Sequence, residues 1–193
     1  MVFTMRVFKK TDWCRSLFTL LALTLASASV AEFTIPDVKP KFIGQSLLLD
    51  GNLDLGLTTK VEEALSKGIP LEVIVDIRLY QQRPWLWDKN TASWTLRRRI
   101  QYHALSGQHL VSTGEPGADA SESFISQQEA LKQLGVFSDF RLALPEAPAE
   151  GSYFIEMRVN LDIEALPAPL RPVAYTSLAW HLNSGWTTWK VAH

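Results

Sequence analysis

The chain has 193 residues, 47% of them apolar and 20% charged, with a formal charge of −1. That make-up fits one globular domain with a real core and excludes a disordered or low-complexity chain. The near-neutral balance gives no field for holding a polyanion, and a single cysteine excludes a disulfide framework or a cysteine-based metal cluster.

Residues 1–31 read as an export signal. Arg6, Lys9, Lys10 and Arg15 stand against one acid, Asp12, then comes the uncharged run LFTLLALTLA, and the small residues ASASVA follow. A spanning helix needs about 20 apolar residues, so this shorter run disfavours a stable anchor. Cleavage is expected after Ala31, with Ala28 as the other candidate. No arginine pair precedes the run, and Cys14 lies ahead of it rather than behind, so neither a twin-arginine nor a lipoprotein route fits. The expectation is Sec-type export to the periplasm. The leader takes four of the 19 bases and one of the 20 acids, which leaves 15 Lys/Arg against 19 Asp/Glu, a net of −4. Such a protein is a poor candidate for nucleic acid or anionic lipid.

The remaining chain alternates apolar and polar residues over three long stretches. A weaker strand at 47–55 comes first. A short helix follows, with Thr59 and Glu62 as a capping box and Gly68 at its end. In LEVIVDIRLY, Leu71, Val73, Val75, Ile77 and Leu79 share one face. A turn at 87–90 leads to a strand at 94–105, whose apolar face of Trp94, Leu96, Ile100, Tyr102 and Ala104 is broken by Arg98. A tight connection at 105–107 and a weak strand at 108–113 come next, then the polar loop 114–123. Ser126 and Glu129 cap a second short helix that Gly135 closes. A weak strand at 140–144, a proline-rich loop at 145–151 and a long strand at 153–163 follow. LPAPLRP at 166–172 is expected to be extended across the surface, and 174–182 to be a strand. The prediction is one α+β domain over 32–193, mainly antiparallel β in a sandwich-like sheet, with two short helices.

No motif for chemistry stands out. DGNLD at 50–54 has the alternate oxygens of a calcium loop, but Leu55 replaces the turn glycine and Val61 the bidentate glutamate, so a solvated strand face explains it better. His103, His109, His181 and His193 have no metal-ligand spacing, although His103 and His109 lie on neighbouring strands. There is no nucleophile elbow and no phosphate-binding glycine loop. Arg97, Arg98 and Arg99 resemble an anion site, but a strand turns Arg98 away from the others, leaving Arg97 and Arg99 to face Glu72, Asp76 or Glu156. No catalytic residue, cofactor or metal is therefore assigned. Six tryptophans follow the leader: Trp85, Trp87, Trp94, Trp180, Trp186 and Trp189. They either close one end of the sandwich or offer an aromatic platform to a partner.

ALSKGIPL (64–71), WLWD (85–88), YHALSGQ (102–108), EALKQLG (129–135), Arg158 with Leu161 and Asp162, LPAPL (166–170) and WHLNSGW (180–186) occur in that order. On these markers the chain resembles the uncharacterised exported proteins of Gram-negative bacteria grouped as domain of unknown function 4390. The resemblance implies no activity, cofactor or catalytic residue. It implies a link to envelope signalling, because genes of this family are often found near those of membrane sensor kinases.

The expectation is an exported, non-enzymatic module that binds an envelope protein, a membrane sensor kinase among them, or a glycan. Its contact surface would combine Trp85, Trp87, Asp88 and Trp94 with Pro167 and Pro169. The alternatives are an envelope hydrolase acting on glycan or peptide, built on Asp88, His103, Asp162 and Glu164, and a carrier of apolar ligands.

Overall fold

Alternation of side chains sets the two faces of each strand and therefore the layers of the molecule. The computed structural model describes residues 32–113 and 121–192. The leader at 1–31, most of the polar loop at 114–123 and His193 lie outside the described residues.

Among the described residues nine strands form two antiparallel sheets: β1 (Phe33–Ile43), β2 (Ser46–Leu55), β3 (Leu71–Gln81), β4 (Lys89–His103), β5 (Gln108–Ser112), β6 (Glu122–Phe124), β7 (Val136–Ala143), β8 (Tyr153–Leu161) and β9 (Thr187–Lys190). One sheet has the order β1-β2-β7, the other β6-β5-β4-β3-β8-β9. Their apolar faces meet in a single core. Strand β3 runs through its middle, with Leu71, Val73, Val75, Ile77 and Leu79 all buried. Burying each is worth about 1.5–3 kcal/mol, which makes β3 the chief anchor of the larger sheet. Across the core, Phe33, Leu47, Leu49, Phe137 and Phe140 come from the smaller sheet.

Helix α1 (Thr59–Ser66) and helix α2 (Gln127–Gly135) carry the chain from one sheet to the other and bury Val61, Ala64, Leu65, Ala130 and Leu134. Ser126 caps α2, accepting from the Glu129 amide. At α1 the cap is Thr58 rather than Thr59, accepting from the Val61 amide, and the Thr58 hydroxyl also donates to the Ala179 carbonyl at 2.8 Å. The second bond explains the shift by one residue, since it ties the helix start to a distant loop. Glu63 and Lys67 pair at 2.6 Å one turn apart, and the ammonium holds the Glu63 carboxyl below its ordinary range.

Three stretches depart from the expected elements. FTIPDVKPKFI is the full-length edge strand β1 despite Pro36 and Pro40; the register shifts between Thr34 and Asp37, and Pro40 sits on an edge, where its missing donor costs no ladder bond. The stretch 166–172 is not extended, and 174–182 is not a strand: the chain turns through 168–170 into helix α3 (Arg171–Thr176) and a 3-10 turn (Leu178–Trp180). Pro172 in the first turn of α3 has no amide to waste there, so a residue expected in an extended segment is a helix starter. Strands β6 and β9 are too short to show periodicity.

The C-terminal segment closes the sandwich. Ala192 pairs with β1 through Phe42 N to Ala192 O (3.1 Å) and Ala192 N to Pro40 O (2.9 Å), while the Val191 amide donates to Tyr153 O on β8 (3.0 Å). The last residues thus bridge the two sheets.

Candidate functional site

The arginine triplet is divided as alternation requires. Arg97 points outward and donates to Asp162 at 2.6 Å, with Glu72 at 3.7 Å. The bond to Asp162, then the charge of that carboxylate, raises the Arg97 pKa. Arg98 points inward, has no solvent exposure and donates from Nη1 to the carbonyls of Leu134 (2.7 Å) and Val136 (2.8 Å). Its guanidinium lies 3.9 Å from the centre of the Phe137 ring. Asp76 is taken by Arg158 at 2.7 Å. Arg99, exposed on the outer face, makes no ion pair with Glu72, Asp76 or Glu156 among the described residues, so of the triplet two arginines are structural contacts and the three do not converge on one anion site.

Of the groups weighed for hydrolysis, Asp162 and Glu164 lie together, while Asp88 and His103 stand away from each other. Asp88 precedes β4 and His103 ends it, so the length of a 15-residue strand separates them. His103 contacts Ser106 at 3.1 Å, whereas His109 is buried on the other face against Tyr102, 4.9 Å between ring centres, so the two histidines do not approach. Asp162 is committed to Arg97 and to the amides of Glu164 and Ala165. Asp50 accepts from the Asp139 amide and faces Lys41 at 3.7 Å, the strand reading of DGNLD.

The tryptophans do not gather at one end. Trp180 is buried, Trp94 and Trp189 pack against the core, and Trp186 lies over two outward arginines, 4.2 Å from Arg78 and 4.7 Å from Arg158. Trp85 and Trp87 are different. They belong to the connection 82–88 beyond the last β3–β4 pair, Gln81 with Lys89. Trp85 is 101% exposed, Leu86 63% and Trp87 90%. Three consecutive large apolar side chains in water are a costly surface feature.

The loop that carries them is held from within. Arg83 donates through Nε (3.1 Å) and Nη2 (2.7 Å) to the carbonyl of Trp87, and the Leu86 amide reaches Arg83 O at 3.4 Å. At its base the Gln82 amide donates to Ser152 O (2.9 Å), and Tyr80 stacks on Phe154 at 5.2 Å. Trp85 adopts φ 69°. That left-handed conformation costs a non-glycine residue about 1–2 kcal/mol, and the two Arg83 bonds to the Trp87 carbonyl fix the loop around it. Beside the loop, at the end of the sandwich where β8 starts, a cavity of about 230 Å³ is lined by the apolar side chains of Leu79, Leu144 and Tyr153 and by Gln81, Lys89 and Glu146.

Of the residues expected to form one surface, Trp85, Trp87 and Asp88 share this tip. Trp94 does not: it pairs with Ile77 on the inner face of the sheet. Pro167 and Pro169 do not either. They follow β8, which starts beside Gln81 and ends beside Val73, so a strand of about 27 Å separates them from the tip. Sequence reasoning missed Arg83 and Leu86. An arginine two residues from a tryptophan carries no signal of a side-chain-to-carbonyl clamp, and a leucine in a turn reads as incidental.

A family model described as a domain of unknown function (DUF4390) matches residues 31–190. No curated protein and no solved structure matches the chain.

Proposed function

Since the chain belongs to the DUF4390 family, whose description assigns no activity, we propose a role from its own surface: an exported, non-enzymatic binding module of the cell envelope that makes contact through the 82–88 tip. One observation carries this reading. Trp85, Leu86 and Trp87 stand in water on a loop whose backbone is braced by Arg83 and whose first indole sits in a strained conformation. Strain kept at an exposed position needs a return, and presenting two rigid aromatic anchors to a ligand is one. Export is supported by the basic, apolar and small-residue order of residues 1–31.

The test is capture in living cells. A photoreactive amino acid placed at Leu86 should give a discrete adduct with an envelope component. A reporter at Arg99, exposed on the outer face of β4, should not give the same adduct. Equal labelling from both positions, or none from the tip, would remove the assignment.

A further inference from the structure

The same tip allows its occupant to be named, on the premise that it is the contact surface. We infer that it docks on a lipid bilayer, with Trp85, Leu86 and Trp87 seated at the boundary of headgroups and acyl chains and Arg83 and Lys89 at the level of the phosphates.

Area argues against a second protein. Two indoles and a leucine offer about 600 Å² at most, below the roughly 800 Å² per partner of a stable interface. The cavity beside them shares its lining between polar groups such as Gln81, Lys89 and Glu146 and apolar side chains, and adds little greasy surface. A bilayer needs no complementary shape and accepts a narrow projection.

Internal bonding points the same way. An exposed loop has water for its carbonyls, yet here the Trp87 carbonyl already receives two bonds from Arg83, and the Leu86 amide faces Arg83 O. These two peptide groups, satisfied from within, enter a medium without water at lower cost than bare ones would, while the Trp85 and Trp87 amides stay at the headgroup level, where water remains. Composition agrees too, because tryptophan is the side chain most at home at the lipid–water boundary.

Charge adds a local complement. Arg83 and Lys89 bracket the three apolar residues, with Asp88 the single acid between them. The chain without its leader is net negative, so attraction to anionic lipid is not the driving force, and insertion of the indoles is.

Flotation with vesicles tests this, using the chain from Glu32 onward, which contains both sheets in full. Vesicles of phosphatidylethanolamine and phosphatidylglycerol should carry the protein upward, and bromine-labelled acyl chains should quench its fluorescence. An indole that buries only about 60 Å² contributes a factor of about ten in affinity. The double variant Trp85→Ser/Trp87→Ser should therefore bind about a hundredfold more weakly, with an unchanged melting curve. Replacing phosphatidylglycerol with phosphatidylcholine should weaken binding less than the double substitution does. A wild-type chain that fails to float, or a double variant that floats equally well, overturns the inference. If the chain does not float while the Leu86 photoprobe labels a protein in cells, the bilayer is wrong and the contact surface stands. If the probe labels neither lipid nor protein, both fall.

Discussion

A guanidinium without water around it must find acceptors in the protein, and Arg98 finds them at the end of α2. The carbonyls of Leu134 and Val136 have no helical partner, and the negative end of the helix dipole points the same way. Arg98→Ala should strip both carbonyls of their donor and leave a cavity, a loss of about 3–5 kcal/mol. Arg99→Ala, one residue away on the wet face, should change stability by no more than about 0.5 kcal/mol. Urea unfolding of the two variants checks the contrast, and equal midpoints would show that the inward arginine is dispensable. Arg83 is the complementary case. Its bonds are in water, so Arg83→Ala should leave the melting temperature nearly unchanged yet weaken contact through the tip several-fold, because both indoles remain but lose their fixed presentation.

Element by element, the sequence was readable where packing obeyed a period. The alternation in β3 and β8 and the serine cap of α2 predicted those elements closely, whereas β4 starts at Lys89, five residues ahead of the alternation that begins at Trp94 and inside the expected turn at 87–90. It failed where tertiary contacts overrode local chemistry. Two prolines hid β1, whose edge position makes them harmless, and a proline that starts α3 was read as an extended chain. The junction of α2 and β7 is another such place. The helix passes directly into the strand at Gly135, and a Cβ there would run into the backbone carbonyl of Leu53. Gly135→Ala should therefore destabilise the protein by about 1–3 kcal/mol, although alanine is the better helix former. Gly51 is the matching contact on the other side, where a Cβ would lie 2.5 Å from Asp37 O. Calorimetry on both variants checks the point, and a melting temperature at or above wild type would mean that the strands can separate to make room.

At the scale of the whole molecule, the two sheets share a core but depend on a few residues to hold their ends together. Val191 is buried, and Ala192 bonds to β1 while its neighbour bonds to β8. Truncation before Thr187 removes β9 and that bridge, and should lower the melting temperature markedly and open the end of the sandwich to dye binding. No single segment encodes this closure, which explains why the architecture was legible and the closure was not. The candidate site was legible in part for the same reason. Trp85 and Trp87 stand out by composition alone. Trp94 is separated from them by its inward face, and Pro167 and Pro169 by strand direction: β3 runs up to the tip, β4 leaves it, and β8 carries the chain away from it.

The seating of Ala192 against Pro40 and Phe42 has a practical result. Tyr153, which receives the Val191 amide, pairs with Gln81, the last strand residue before the aromatic loop. Phe33 pairs with Leu55 at the other end of its strand. An affinity handle or fluorescent fusion joined to the carboxyl end would stand next to the tryptophans and shield them from their target, whereas one joined ahead of Phe33 would leave them open. Interaction screens that compare the two fusion orientations should therefore disagree, and the one with its handle before Phe33 should retain the contact.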